Sequence, residues 1–128
     1  MGVSEGRNLS RCDRGNVAVE FALLLPVFLL FILGTVEFGR AMWDRSMLQF
    51  ACEEATRYAL AHSTASNSVV IAQAQAELIG IPPANVAFTV ASTASQVSVS
   101  ATYTFDFLVP SLLPFGPITL SALSEFPR

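Results

Sequence analysis

The dominant feature of the hydropathy pattern is an uncharged apolar run over residues 21–36. Counted from Val17, about twenty residues are apolar apart from Glu20, Gly34 and Thr35, which is about the length that a helix needs to cross a bilayer. A secretory signal has a shorter apolar region and ends at a small-residue cleavage site, whereas Glu37-Phe38-Gly39-Arg40 follows here. The pattern therefore predicts a retained membrane helix over residues 16–36.

The charged flanks predict the orientation of this helix. Arg7, Arg11 and Arg14 precede it, and Arg40 and Arg45 follow it closely. Positive residues favour the cytoplasmic side, and acidic residues count for little. We therefore expect a single-pass protein with a cytoplasmic N-terminus and an extracytoplasmic C-terminus.

The helical pattern continues past the apolar run, over residues 37–62, which contain no proline. At 100° per residue, one arc of this extension carries Leu48, Ala51, Cys52, Ala55, Tyr58, Ala59 and His62. Phe50 and Leu60 point toward the polar side, either as isolated exposed residues or as contacts with neighbouring subunits. Together the two segments predict a helix of roughly 45 residues.

Three shorter features accompany this extension. Arg40 with Asp44 and Glu53 with Arg57 have the i,i+4 spacing of ion pairs, each of which supports a helix modestly. Trp43 is predicted to be an anchor at the membrane interface, with core packing as the alternative.

Residues 63–128 predict a small α+β domain. A polar linker leads to a short helix over Val69–Ile79, which Ser68 or Asn67 can cap and Gly80 ends. Three segments then alternate strictly between apolar and polar residues, as strands with one buried face do. Their apolar positions are Val86, Phe88 and Val90; Val97, Val99, Ala101, Tyr103, Phe105 and Phe107; and Ile118, Leu120, Ala122 and Phe126.

The predicted sheet has one obvious partner, the Leu48–Ala59 face of the long helix, so we expect helix-on-sheet packing. Ser92–Ser95 forms the first turn, and a Pro- and Leu-rich loop over Pro110–Pro117 joins the second and third strands. Leu112, Leu113 and Phe115 in that loop cover the end of the sheet or form a patch for a partner.

Composition narrows the class of protein. The net charge is −3 and there is no lysine, so no basic patch for nucleic acid is expected. Cys12 and Cys52 lie on opposite sides of the predicted membrane helix and cannot pair within one chain. Cys52 is either a small buried hydrophobic residue or part of an intersubunit disulfide.

The chain contains no recognisable catalytic constellation. We find no phosphate-binding glycine loop, no Cys/His metal spacing and no Gly-x-Ser-x-Gly motif, and the single histidine, His62, lies on the linker. We therefore predict that the protein is not an enzyme, with no catalytic residue, no metal site and no cofactor.

Gly15-Asn16-Val17-Ala18-Val19-Glu20-Phe21 resembles the processing site of type IV pilin-like precursors. Further motifs narrow the resemblance to the TadE-like family, minor pilins or pseudopilins of the tight-adherence (Tad/Flp) pilus. These are Leu25-Pro26, Gly34 with Val36-Glu37-Phe38-Gly39-Arg40-Ala41, and Glu53-Glu54-Ala55-Thr56-Arg57-Tyr58-Ala59.

The resemblance implies a processing step. It implies that a prepilin peptidase removes a cytoplasmic leader, residues 1–15, by cutting between Gly15 and Asn16. Glu20 would then be fifth in the mature chain, where it would neutralise the new ammonium group of Asn16 on the same or a neighbouring subunit, because a buried unpaired charge is costly. The alternative for Glu20 is a residue at the helix start that the helix dipole favours.

The resemblance also implies partners: the prepilin peptidase, other Tad pilins and pseudopilins, an inner-membrane assembly platform and the lipid bilayer. The protein would reside in a bacterial inner membrane, and on the pilus or cell surface after assembly. The alternative function is an uncleaved single-span protein whose outer domain binds an envelope partner. Within the helix, Pro26 is expected to produce a kink, and Gly34 is a candidate helix contact.

Overall fold

The computed structural model describes residues 13–111 and 116–128, and the side chains from Asn16 onward within them. Its elements are α1 (Asp13–Ala61), α2 (Asn67–Ala76), β1 (Val86–Ser92), β2 (Gln96–Phe105) and β3 (Ile118–Pro127), with a 3-10 turn at Pro83–Asn85 before β1. A long apolar N-terminal helix, a short helix and a three-stranded antiparallel sheet confirm the expected α+β class.

The chain forms two compact units, residues 1–36 and residues 37–128, and α1 contributes to both. Within the first unit α1 continues through Pro26. Proline has no N–H for the carbonyl one turn earlier, so a kink at Pro26 stays a prediction.

The sheet has the order β1-β2-β3, and both pairs are antiparallel. Val86 pairs with Tyr103 in the first ladder, and Phe105 pairs with Ile118 in the second. The β1–β2 turn is closed by the Thr93 N–H, which donates to the Gln96 carbonyl at 2.8 Å. Alternation along β2 buries Val97, Val99, Ala101 and Phe105, which confirms the period-two reading of that segment.

The core of the second unit lies between α1 and the sheet, as the helical periodicity predicted. On the α1 side it contains Leu48, Cys52, Ala55 and Ala59, and on the sheet side Val86, Val97, Val99, Ala101 and Ala122. Three of the four residues on the helix side are small, and α2 closes the core with Val70 and Ala74. His62, predicted on the same arc, is exposed at the end of the helix.

The bounds of α2 differ from the prediction. The helix begins two residues before Val69 and ends three residues before Ile79. Its N-cap is Ser66, which makes no side-chain capping bond, because the Ser66 hydroxyl hydrogen-bonds the Ser68 hydroxyl at 2.9 Å instead. Gly80 adopts φ of +82°, a conformation that glycine reaches without strain, and it turns the chain after the helix.

The ion pairs on α1 also differ from those predicted. Arg40 pairs with Glu37 rather than Asp44, and Arg57 pairs with Glu54 rather than Glu53, in both cases at i,i+3 and 2.7 Å. Glu53 instead accepts a hydrogen bond from Gln49 at 3.0 Å. Spacings of three and four residues both place side chains on one helix face, so sequence spacing could not decide between them.

Candidate functional site

The Gly15–Asn16 junction lies in the first turn of α1, which begins at Asp13. Asn16 and Glu20 are four residues apart, which puts them on one helix face with an axial rise of about 6 Å. Glu20 is exposed and has no hydrogen bond or ion pair within the described part of the chain.

The helix surface beyond Glu20 is apolar and exposed. Phe21, Leu24, Phe28 and Phe31 are 63%, 61%, 60% and 75% exposed, and no residue from Asn16 to Ile32 is buried. Within the described residues, α1 is the helix long and apolar enough to cross a membrane. A continuous apolar surface of this kind needs lipid or other helices around it.

The sequence-predicted contact residues occupy different surroundings. A Cβ added at Gly34 would meet open space, so a neighbouring helix could approach there. Leu60 is half-buried and packs against the core of the second unit, so it presents less surface than Phe50. Phe50 is 46% exposed.

Phe50 lines an open groove of about 490 Å³ along α1, together with Met42, Arg45, Ser46, Gln49 and Glu53. Gln49 Nε2 donates to the Leu123 carbonyl of β3 at 3.1 Å, so the helix and this strand of the sheet are joined here. β3 lies at one edge of the sheet, and its Leu123 carbonyl accepts the bond from Gln49.

Glu37 is the most constrained acid in the described chain. It begins the second unit, and its side chain is only 4% exposed. Its Oε1 accepts the Leu108 N–H at 2.6 Å, and its Oε2 accepts Arg40 Nη1 at 2.7 Å. The carboxylate therefore joins α1 to the segment after β2, 71 residues away in sequence.

Arg40 connects the same carboxylate to the end of the sheet. Its guanidinium carbon lies 5.0 Å from the centroid of the Phe105 ring, within the range of a cation–π contact. Phe105 is fully buried and meets Phe107 edge to face at 5.4 Å. We call the set Glu37, Arg40, Phe105 and Leu108 the Glu37 clasp.

Other ionisable groups surround the clasp. Burial raises the pKa of the Asp44 carboxyl, and the Arg40 charge partly opposes that shift. Burial also raises the pKa of the Tyr103 phenol, and the carboxylates of Asp44 and Asp106 raise it further. Both pKa shifts are upward and arise mainly from burial, so neither group is activated as a nucleophile.

Cys52 lies in the core with no exposed surface. Burial, with a smaller contribution from Glu53, raises the pKa of its thiol to about 11. At neutral pH the thiol is protonated, and a protonated, buried cysteine is chemically inert. Among the described residues no group of His, Cys, Asp and Glu is arranged to hold a metal ion.

Sequence reasoning treated Glu37 only as a flanking charge and as part of a family motif. A signal was present, since an acid directly after a membrane-length apolar run, with an arginine three residues later, can pair on one helix face. Its second partner was not visible, because the Leu108 N–H reaches Glu37 only through the return of β2 to the start of the unit. Leu112, Leu113 and Phe115, predicted to cover the sheet or bind a partner, lie outside the described residues.

Comparison with known proteins bears on the helical half of the chain. No curated protein and no solved structure matches the chain. One family model, described as TadE-like protein, matches residues 15–57. The matched stretch begins at Gly15 and includes Glu20, Pro26, Glu37 and Arg40. This match agrees with the resemblance found in the motifs: over residues 15–57 the chain is similar to TadE-like proteins.

Proposed function

We propose that the protein is a minor pilin or pseudopilin of the TadE-like class, a structural or assembly-priming component of a Tad/Flp-type adhesion pilus. The family match supports an association with the Tad pilus, and TadE-like proteins are structural rather than catalytic. On this proposal residues 1–15 are a cytoplasmic leader, residues 16–36 span the inner membrane, and the remaining residues lie outside it.

The observation that carries the proposal is the arrangement of Asn16 and Glu20 on α1. Cleavage after Gly15 would create an ammonium group on Asn16, one helical turn from the exposed Glu20 carboxylate. In a bundle of apolar helices an unpaired charge is strongly unfavourable, so the acid and the new N-terminus neutralise each other, within one subunit or between neighbours.

The exposed apolar surface of α1 supports the same proposal. Before assembly this surface is solvated by lipid, and in a filament it packs against the equivalent helices of other pilins and pseudopilins. Gly34 offers a close approach for a helix backbone, and Phe50 and Leu60 are further candidate contacts, of which Phe50 is the more exposed. The prepilin peptidase and the assembly platform complete the proposed set of partners.

The test is the N-terminal sequence of the protein isolated from membranes of cells that contain a prepilin peptidase. We expect Asn16 as the first residue. Gly15→Ala should be cut poorly, because alanine both crowds the extended backbone that a peptidase grips and favours the helical state of the junction by about 1 kcal/mol.

Gly34→Ala is the matched control. It makes the same chemical change in the same helix, at a position where the added Cβ meets open space. It should be processed as efficiently as the unaltered protein. An N-terminus at Met1 or Gly2 would contradict the pilin proposal and favour the alternative, an uncleaved membrane protein whose outer domain binds an envelope partner.

A further inference from the structure

Several large apolar side chains are exposed at the end of the second unit where Glu37 lies. Phe38 is 68% exposed and Leu108 is 66% exposed. Trp43, less than two helical turns beyond Glu37, is 60% exposed, and Ile118 is 38% exposed. Single exposed apolar residues are ordinary in proteins, but these four share one end of the unit. We call them the exit collar.

The Glu37 clasp holds the exit collar next to the first residue of the second unit. Glu37 directly follows Val36, the last residue of the proposed span. The Leu108 nitrogen is 2.6 Å from Glu37 Oε1, so the backbone of Leu108 lies beside the residue that directly follows the proposed span. Ile118 is held nearby, because it pairs with Phe105 and the Phe105 ring contacts Arg40.

We propose that the segment after β2, through Leu108, is a second point of membrane contact, and that the exit collar lies in the headgroup region of the bilayer that α1 spans. The partner is the lipid surface itself. This inference rests on the proposed membrane span, since Glu37 marks the bilayer surface only if the residues before it are in lipid.

The chemistry of the collar suits the interface rather than the hydrocarbon. Tryptophan is enriched at the headgroup level, where an apolar ring with one polar group is favoured. Asp106 is exposed two residues before Leu108, and the partly exposed Arg40 bonds the same Glu37 carboxylate as the Leu108 N–H. Charged groups so close to Leu108 keep the segment out of the hydrocarbon core, while the apolar side chains among them favour contact with lipid.

The experiment uses the full chain in phosphatidylcholine nanodiscs, with acyl chains that are plain, brominated near their glycerol end or brominated near their methyl end. Trp43 is the only tryptophan, so Trp43→Phe provides a dark background for single-tryptophan reporters. Leu108→Trp reports on the proposed contact and retains the backbone N–H that Glu37 accepts. Phe28→Trp, in the middle of the apolar run, reports on the span through the chains brominated near their methyl end, and positions 108 and 123 are read with the chains brominated near their glycerol end.

Leu123→Trp is the matched control, because Leu123 is also an exposed leucine of the second unit, at 56%. It lies five residues along β3 from Ile118, which is about 16 Å from the collar at the strand rise. Bromine quenches tryptophan only at contact distance, so we expect at least about twofold more quenching at position 108 than at position 123.

Each pattern of quenching is decisive. Quenching at 28 and 108 but not at 123 supports the inference. Equal quenching at 108 and 123, with strong quenching at 28, overturns the second contact and leaves the membrane span intact. An absence of quenching at 28 overturns the span and the collar together. Each variant is checked for folding, in a Cys12→Ser background, by protection of the buried Cys52 thiol from a thiol reagent.

Discussion

Glu20 and Glu37 lie on the same helix, at the two ends of one apolar run, and in opposite surroundings. Glu20 is exposed among exposed apolar side chains and has no partner within the described residues. Glu37 is buried, and each of its carboxylate oxygens accepts a hydrogen bond from a different part of its own unit.

The difference shows two ways in which a charge in an apolar setting is compensated. The second unit has its own core and provides partners for its acid from within the chain. The described part of the first unit is one helix with no buried residue, and it gives Glu20 no partner. On the proposed function, the new N-terminus or other molecules supply that partner. Substitutions at the two sites should therefore fail in different assays, assembly for Glu20 and folding for Glu37.

The largest expected effect is on assembly, at Glu20. In Glu20→Gln the Asn16 ammonium of the processed protein has no counter-charge, and we expect association with pilus partners to weaken by about 3–5 kcal/mol. The measurement is a pulldown of processed protein with its pilus partners, beside the unaltered protein. Processing itself should be largely intact, and so should the stability of the second unit.

If Glu20 only occupies a helix start, Glu20→Gln loses at most the dipole interaction of roughly 0.3–1 kcal/mol. Processed Glu20→Gln protein that associates normally would therefore rule out the charge-pairing role.

In the second unit, the largest expected effect is at Phe105, which is fully buried beneath Arg40. Phe105→Ala should lower the free energy of unfolding by about 3–5 kcal/mol, because it removes a large buried ring and leaves a cavity. Urea unfolding of the full chain in detergent, followed by exposure of the Cys52 thiol, measures the change. A loss under about 1 kcal/mol would mean that the ring contributes little to the core.

The stability of the second unit should depend on pH through the buried Cys52 thiol in its core. The folded unit raises the pKa of the Cys52 thiol from 9.0 to about 11. Between these values the unfolded chain loses its proton and the folded chain keeps it, so stability falls as pH rises through this window. The loss levels off above the folded pKa at about 2–3 kcal/mol.

The measurement is the unfolding free energy at several pH values from neutral to alkaline, compared with Cys52→Ala. The variant lacks the thiol, so the difference in slope isolates its titration from that of Tyr103 and the other groups. Parallel curves for the two proteins would show that the thiol does not remain protonated in the folded core.

The smallest expected effect is on the free energy of unfolding, when the buried Glu37–Arg40 ion pair is compared with the more exposed Glu54–Arg57 pair. Glu37→Ala removes two charge-assisted hydrogen bonds from a buried site, and we expect a loss of about 1.5–3 kcal/mol in unfolding free energy. Glu54→Ala is the matched control, because the Glu54–Arg57 pair is also i,i+3 at 2.7 Å but is more exposed. Exposed pairs contribute only about 0.2–1 kcal/mol.

Equal losses in Glu37→Ala and Glu54→Ala would show that the clasp adds nothing beyond an ordinary surface pair. Neither substitution should affect processing after Gly15, which lies in the other unit.

The α+β class, the three strands and the buried face of α1 were all predictable, because each rests on a local period in the sequence. Leu48, Cys52, Ala55 and Ala59 repeat with the helical period, and Val97, Val99, Ala101 and Phe105 repeat with the strand period. The similarity to TadE-like proteins was predictable for a related reason, since the matching motifs lie within one continuous stretch, residues 15–57.

Element ends and pair choices were less predictable. The cap of α2 moved to Ser66, and both predicted ion pairs changed partner, because several polar residues lie within reach at each place. Such alternatives differ by a few tenths of a kcal/mol, which local sequence spacing does not resolve.

The sequence by itself determined which segments are helix or strand, which faces are apolar, and that an acid stands at each end of a membrane-length apolar run. Only the tertiary structure decided that Glu37 is buried and bonded to Leu108 while Glu20 is left exposed. The physical reason is that the Glu37–Leu108 bond joins residues 71 positions apart. Local periodicity carries no information about that distance, and the bond exists only once the sheet has packed against the helix.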